Sequence, residues 1–241
     1  MKKMNHFVGL DFETGGLDSV KCGITEVGMI AFRADDFKEL QRYQSYVSMY
    51  HRKDLRKRIV KKAEREDPVQ MEYDWDMMKR DTNITKELLE KKGKPLQEVA
   101  VELFEKIKKV NLDNGRRTKP ILVGHNIVFD IGFLQQLCGY TGHDPRKYFA
   151  GKEDFYGNFQ PNYMDTLSLS RLYFAPNEKV ISHNLSDVAE RFGIELFAAH
   201  SAQYDTEVSN GLFQRYVSLL RNGSGKSNEQ IKERARDHFK F

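Results

Sequence analysis

Two carboxylates one residue apart close an apolar run near the start of the chain. Residues 7–17 read FVGLDFETGGL, and Asp11 and Glu13 are the two acids. An apolar run that ends in glycine is typical of a buried strand. Because side chains alternate along a strand, both carboxylates point to the same side. Like charges held this close repel, and a hard divalent cation such as Mg²⁺ between them removes the conflict. Taken alone, such a pair is more often a solvated turn than a metal site.

Two later segments carry further groups suited to the same chemistry. Asp130 falls on the first turn of a helix predicted after a buried strand at 121–124, where ligands of α/β sheets gather. Asp205 follows His200 by five residues, so the acid could bind metal while the imidazole takes a proton from water. Each group also has a simpler interpretation. Asp130 and Asp205 could be acids at helix N-termini that interact favourably with the helix dipole, and His200 could be a surface residue. Three such segments in one chain favour a common site.

The elements that must position these groups follow from hydrophobic patterning. Strands are predicted at 6–12, 24–32 and 40–47, as a meander because the connections are too short for a crossover helix. Further on, short buried strands alternate with helices, the signature of an α/β protein with a mixed sheet. The predicted helices span 84–92, 96–110, the residues after 126, 168–174, 184–192 and 206–220, and the later strands lie at 121–124 and near 164–167. Residues 140–162 are predicted to be a long connection.

Composition limits the alternatives. The 241 residues suit one large domain, and the net charge of +4 is only mildly basic. No run of 18 apolar residues exists, so neither a transmembrane helix nor membrane association is predicted, and the first residues do not form a signal peptide. Cys22 and Cys138 lack metal-ligand spacing, which favours reduced thiols and a cytoplasmic location.

Residues 50–82 differ in character from the rest of the chain. Positions 50–66 hold eight Lys and Arg against three acids, and we predict an exposed helical or irregular insertion. A solvated charged face is one interpretation. The other is a basic flap near a polyanion, with Tyr73 or Trp75 available to stack on bases. Residues 222–241 are predicted to lie outside the domain. They comprise a flexible linker at 222–225 followed by a charged tail.

With these motifs in order, the chain resembles the DEDDh exonucleases, the DnaQ-like family that includes the proofreading epsilon subunit of bacterial DNA polymerase III. The matching motifs are DFETGGLD at 11–18, HNIVFDIGF at 125–133, His200 with Ala202 and Asp205, DTL at 165–167, and LSDVA at 185–189 followed by Gly193. The resemblance covers roughly residues 5–220. The chain departs from the family at Gly15, where threonine is common, and in the large 50–82 segment.

The resemblance implies a ribonuclease H-like exonuclease fold over residues 1–221, with a five-stranded mixed sheet flanked by helices. It implies 3′→5′ hydrolysis of nucleic acid to nucleoside 5′-monophosphates with two divalent metal ions, Mg²⁺ or Mn²⁺. The implied metal ligands are Asp11, Glu13, Asp130 and Asp205, and His200 is the implied general base. The implied substrate contacts are Phe12, Thr14, Gly15, Leu17 and Asn126. Leu17 is otherwise a loop anchor, and Asn126 is otherwise a helix cap.

The expected substrate is a nucleic acid with a free 3′ end, DNA in preference to RNA, and a DNA polymerase is a candidate partner in DNA replication. A 3′→5′ exoribonuclease similar to ribonuclease T or oligoribonuclease is the main alternative, since the same site can hydrolyse the phosphodiesters of both DNA and RNA. A non-catalytic module that binds nucleic acid or docks a polymerase is the third hypothesis. The intact acids and His200 argue against it.

Overall fold

The chain folds around a five-stranded mixed sheet with the strand order β3-β2-β1-β4-β7. A computed structural model describes residues 6–52, 69–111, 119–194 and 201–222. The strands are β1 (Phe7–Thr14), β2 (Ile24–Phe32), β3 (Glu39–Tyr46), β4 (Ile121–Gly124), β5 (Gly151–Glu153), β6 (Phe159–Pro161) and β7 (Tyr163–Asp165). The first three pair antiparallel as a meander, whereas β4 runs parallel to β1 and β7 parallel to β4. The pair β5–β6 is a separate small hairpin.

Helices pack on both faces of the sheet. They are α1 (Trp75–Asp81), α2 (Lys86–Lys92), α3 (Leu96–Lys109), α4 (Ile127–Thr141), α5 (Thr166–Phe174), α6 (Leu185–Arg191) and α7 (Ala202–Asn222). One face is covered by α3 and α4, whose apolar side chains form the main core with β1 and β2. On the other face α7 crosses β1 and β2. The apolar stripe of α3 at Val99, Leu103 and Ile107 is fully buried, as its helical spacing predicts.

Alternation along β1 decides where the acids lie. Val8, Leu10 and Phe12 point into the main core under α3 and α4. The intervening positions face α7: a Cβ at Gly9 would stand 2.3 Å from Oδ1 of Asn210 on that helix. Asp11 and Glu13 share this second face, because residues two apart on a strand point the same way. The sheet therefore separates its main apolar core from the face beneath α7, which carries the acids at one end of β1 and a smaller aromatic cluster of Phe7, Phe32 and Phe213 at the other.

The predicted α/β fold with its five-stranded mixed sheet and opening meander is confirmed. Two predictions were wrong in detail. Residues 140–162 are more than a connection, since they carry a 3₁₀ turn at Pro145–Lys147 and the β5–β6 hairpin. The last helix begins at Ala202 and not at residue 206.

Some predictions fall partly on residues that the structure does not describe. The basic stretch 53–68, residues 112–118 and the tail from 223 lie outside the described residues, and the domain limits 1–221 stay a prediction. Both cysteines are buried free thiols. Within the described ranges, every helix is too short or too polar to cross a membrane.

Candidate active site

Three carboxylates from the two ends of the chain meet above the sheet. Asp11 and Glu13 come from β1, and Asp205 comes from the first turn of α7. Each offers one oxygen, and these oxygens all lie within 4.8 Å of one another. All three side chains are partly buried. Carboxylate oxygens at this spacing are the ligands that hard divalent cations prefer, so the donor set fits such an ion.

Asp130 lies beside this group but outside it. Its carboxylate is buried, at 3% exposure, and its Oδ1 accepts a hydrogen bond of 2.9 Å from the backbone N–H of Phe12. The bond fastens the first turn of α4 to β1 between the two β1 acids. The predicted metal ligand Asp130 therefore has a direct structural contact, and none of its oxygens belongs to the three-residue group.

The acids raise one another's pKa. Burial raises the pKa of Asp11 well above its ordinary value, and the charges of Asp130 and Glu13 raise it further. For Glu13, burial followed by the charges of Asp205 and Glu26 raises the pKa to about 8. Burial also raises the pKa of Asp130. The charged forms are thus disfavoured near neutral pH, and a bound cation would remove that penalty.

Glu26 is an acid of this region that the sequence analysis missed. It stands opposite Glu13 in the β1–β2 register and is 1% exposed. Its Oε2 accepts the N–H of Ala202 at 3.1 Å, and its Oε1 accepts from Nε2 of Gln44 at 2.6 Å. The signal was available: a single acid inside the apolar strand ITEVGMIAF needs partners if it is buried.

The loop after β1 is held in place on one side by the end of the 50–82 segment. The N–H of Gly15 donates to the carbonyl of Gly23 at 2.7 Å, and the N–H of Asp74 donates to the carbonyl of Gly15 at 2.8 Å. A Cβ at Gly15 would stand 2.5 Å from the carbonyl oxygen of Glu72. Glycine at this position therefore accommodates the segment that crosses it, which accounts for the departure from the family pattern.

From the other side, α4 holds the same loop through Gln136. Its Nε2 donates to the carbonyls of Cys22, at 3.0 Å, and Ser19, while its Oε1 accepts from the hydroxyl of Tyr50 at 2.6 Å. Leu17 projects from this fixed loop with 81% of its surface exposed. The interpretation of Leu17 as a loop anchor is therefore wrong.

The remaining substrate candidates are placed as follows. Phe12 has its side chain in the main core, which confines any substrate contact there to its backbone. The hydroxyl of Thr14 is buried and donates to the carbonyl of Gly16 at 2.7 Å. Asn126 is exposed in the left-handed region, at φ 62°, and its side chain makes no cap hydrogen bond. Its N–H donates to Oδ1 of Asp165 at 2.8 Å, so that acid fixes the Asn126 backbone.

Of the two motif histidines, the structure describes His125 but not His200. The ring of His125 lies 3.0 Å from Oγ1 of Thr166 and 2.8 Å from the carbonyl of His183, and burial lowers its pKa. These contacts give His125 a structural role in joining the Asn126 turn to α5. His200 lies outside the described residues, so its role as general base stays a prediction.

The two aromatic residues of the 50–82 segment, Tyr73 and Trp75, pack against each other. The rings of Tyr73 and Trp75 stack with centroids 5.4 Å apart, and the Tyr73 hydroxyl accepts the N–H of Tyr50 at 3.3 Å. Both side chains are partly buried. The Tyr73 ring is thus used in packing on one face, and the idea that it is held ready for a base has no support from these contacts.

Comparison with known proteins agrees with this geometry. Residues 74–213 match the family model RNase_T, described as an exonuclease; the match includes Asp130 and Asp205 but begins after β1. The PolC-type DNA polymerase III of Thermotoga petrophila is 26% identical over 219 residues, which is 89% of this chain and 12% of that protein. The corresponding protein of Pediococcus pentosaceus is 36% identical over 92 residues, 38% of this chain and 5% of that protein. The chain thus spans about an eighth of the length of the first of these relatives.

A solved structure shares the fold. Escherichia coli exonuclease I, in a crystal structure with a dT13 oligonucleotide, superimposes with a TM-score of 0.62 at 16% identity, over 91% of this chain and 42% of that one. At this identity the likeness establishes the ribonuclease H-like fold.

Proposed function

The chain belongs to the exonuclease family of the RNase_T model, which is DnaQ-like and acts 3′→5′, and from that premise we propose that it removes nucleotides hydrolytically from the 3′ end of DNA. The observation that carries the proposal is the group formed by Asp11, Glu13 and Asp205, whose oxygens lie within 4.8 Å of one another. A phosphodiester is anionic, so an acidic site can act on it only when cations are bound. The expected products are nucleoside 5′-monophosphates.

The proposal includes two divalent metal ions, Mg²⁺ or Mn²⁺. Asp11, Glu13 and Asp205 would bind them. The position of Asp130 beside Asp11 supports a role for Asp130 in binding the second ion. When bound, such ions supply an activated water and stabilise the leaving 3′-oxygen. Asp130 meanwhile holds the β1 backbone at Phe12, which keeps the two β1 carboxylates in place.

His200 completes the proposed chemistry as the general base. An imidazole suits that task because its unperturbed pKa, about 6.5, lies near working pH. His200 stands two residues before the start of α7, and Asp205 lies on the first turn of that helix. One short stretch of chain would thus supply both a ligand and the base.

The substrate end of the site would be the loop after Glu13. Leu17 is an exposed apolar side chain on a loop fixed by Gln136 and by the segment at Glu72, which suits a wedge against the terminal base. Asn126 offers an exposed amide without a cap bond. Exonuclease I bound to oligo(dT) and the PolC-type polymerases support single-stranded DNA and a proofreading role beside a polymerase.

The test compares 5′-labelled single-stranded DNA and RNA of one sequence, with Mg²⁺ or Mn²⁺. We expect a ladder that shortens from the 3′ end on DNA, and no ladder from Asp11→Ala or His200→Ala. Glu190→Ala, an exposed acid on α6, is the matched control and should cleave normally. A ladder on RNA alone would replace the proposal with an exoribonuclease. No cleavage of either strand would leave the non-catalytic binding module.

The basic stretch within 50–82 has its own test. If it contacts phosphates, the triple change Arg56→Glu, Lys57→Glu and Arg58→Glu should weaken DNA binding and flatten its dependence on salt. Filter binding between about 50 and 200 mM salt measures both effects. Unchanged binding would restore the interpretation of a solvated charged face.

A further inference from the structure

Glu26 is a buried acid whose two carboxylate oxygens are each used by a different element. It is 1% exposed, on the face of β2 that lies under α7. Oε2 accepts the N–H of Ala202, the first residue of α7, and Oε1 accepts from Gln44 on β3. A buried carboxylate is costly unless its hydrogen bonds are satisfied, so the Gln44 contact holds the carboxylate in place and the Ala202 contact constrains where α7 can begin.

The close approach of α7 to β2 depends on the same strand face. Gly28 lies two residues from Glu26 and points the same way, and a Cβ there would stand 2.2 Å from the carbonyl carbon of Ala202. The helix start therefore rests directly on the β2 backbone. At the start of the helix, the Thr206 hydroxyl donates to the carbonyl of Ala202 at 2.7 Å, and the Asp205 N–H donates to the carbonyl of Ser201, the residue before α7, at 2.9 Å. The first turn is thus tied to the sheet through Ala202.

We propose that Glu26 is a positioning residue for the metal site, which fixes the first turn of α7 so that the Asp205 carboxylate meets those of Asp11 and Glu13. The inference rests on the proposed function, since it assigns Glu26 a task toward the metal ligands of that site. Glu26 is distinct from a ligand: its oxygens are taken by an N–H and an amide, and it does not belong to the three-carboxylate group. Outer partners of this kind orient the residues that bind the metal.

The role of position can be separated from the role of charge. Glutamine has the shape of glutamate, so Glu26→Gln can still accept the Ala202 N–H, and the Gln44 amide can turn to meet the new NH₂. Aspartate keeps the charge but is shorter by about 1.5 Å, which carries a 3.1 Å bond out of hydrogen-bonding range. Positioning predicts that Gln preserves the site and Asp does not, whereas a purely electrostatic role predicts the reverse.

The experiment is a Mn²⁺ titration without nucleic acid, followed by the electron paramagnetic resonance signal of free Mn²⁺. We expect Glu26→Gln to bind within about twofold of the wild type, and Glu26→Asp to bind about tenfold or more weakly. Glu105→Asp, on the exposed side of α3, is the control for the shortened side chain. Should Glu26→Asp not fold, as judged by circular dichroism, Glu26→Ala replaces it with the same expectation.

The inference is overturned if the shortened variant binds Mn²⁺ as the wild type does, or if Glu26→Gln weakens binding as much as Glu26→Asp. Because no substrate is present, the result is independent of the nuclease assay. A wild type that binds Mn²⁺ but cleaves neither DNA nor RNA would refute the proposed function and leave the test of Glu26 intact. A wild type that binds no Mn²⁺ would overturn the metal site and the role of Glu26 together.

Discussion

Replacing Glu13 by glutamine should stabilise the metal-free protein at alkaline pH, although it removes a proposed metal ligand. Glu13 is partly buried beside Asp205, Glu26 and Asp130, and burial and these charges raise its pKa to about 8. Without a cation, the folded protein must either keep that proton or hold the charge among other acids. Glutamine has the same shape and cannot ionise, so it avoids the conflict.

The size and sign of the effect follow from linkage. The unfolded chain releases the Glu13 proton near pH 4.5, whereas the folded protein holds it up to about pH 8. Between these values the folded state binds more protons, so stability falls as pH rises through that window. At about 1.4 kcal/mol per pKa unit, the cost to the wild type is about 4 kcal/mol at pH 8 and about 1 kcal/mol at pH 5.

The assay is urea unfolding in EDTA at pH 5 and pH 8, repeated with Mn²⁺ at pH 8. Glu13→Gln should lose less stability than the wild type between the two pH values. With Mn²⁺ the difference between variant and wild type should narrow, because a ligand at 100 times its Kd stabilises the wild type by about 2.7 kcal/mol and the variant by less. Glu105→Gln, on the exposed side of α3, serves as the control. Equal losses from pH 5 to pH 8 in wild type and variant, or a wild type unmoved by Mn²⁺, would refute the reasoning.

Three further substitutions test the loop after β1. Gly15→Ala should cost about 1–3 kcal/mol in urea unfolding, because the new methyl group meets the Glu72 carbonyl at 2.5 Å; wild-type stability would contradict the close approach. Leu17→Ala should change stability by less than about 0.5 kcal/mol, since the side chain is 81% exposed, yet raise the KM for single-stranded DNA about fivefold or more, the loss of roughly 1 kcal/mol of apolar contact. An unchanged KM would count against the wedge. Gln136→Leu should cost about 1–3 kcal/mol and speed amide exchange at Cys22, because two carbonyls lose their donor; unaltered exchange there would show that the loop is held otherwise.

Local pattern predicted the elements but not all of their limits. The first three strands and the helix at α3 were recognisable because their apolar periodicity is long and clear. The hairpin β5–β6 was missed because strands of three residues are too short to show alternation. The start of α7 was misplaced because Glu26, 176 positions earlier, accepts the N–H of Ala202, and no local signal reports so distant a contact.

The candidate site also has features that the local sequence predicts and features that only the tertiary fold shows. That Asp11 and Glu13 share a face follows from strand geometry alone. Their meeting with Asp205 required motifs from both ends of the chain, because nothing local connects β1 to α7. Gly15 departs from the family pattern, and only the tertiary fold gives the reason for it, the segment that crosses at Glu72. Glu26 could have been suspected as a lone acid in an apolar strand, but its partner could not.

The distance along the chain between the acids has a consequence for synthesis on the ribosome. Asp205 lies 192 positions after Glu13. At about 5–20 residues per second, it leaves the ribosome roughly 10–40 s after the β1 acids. During that interval a nascent chain carries Asp11 and Glu13 without the helix that completes their cluster. An unfinished chain would therefore lack the third of the proposed metal ligands, and binding of an ion there would report that α7 has docked.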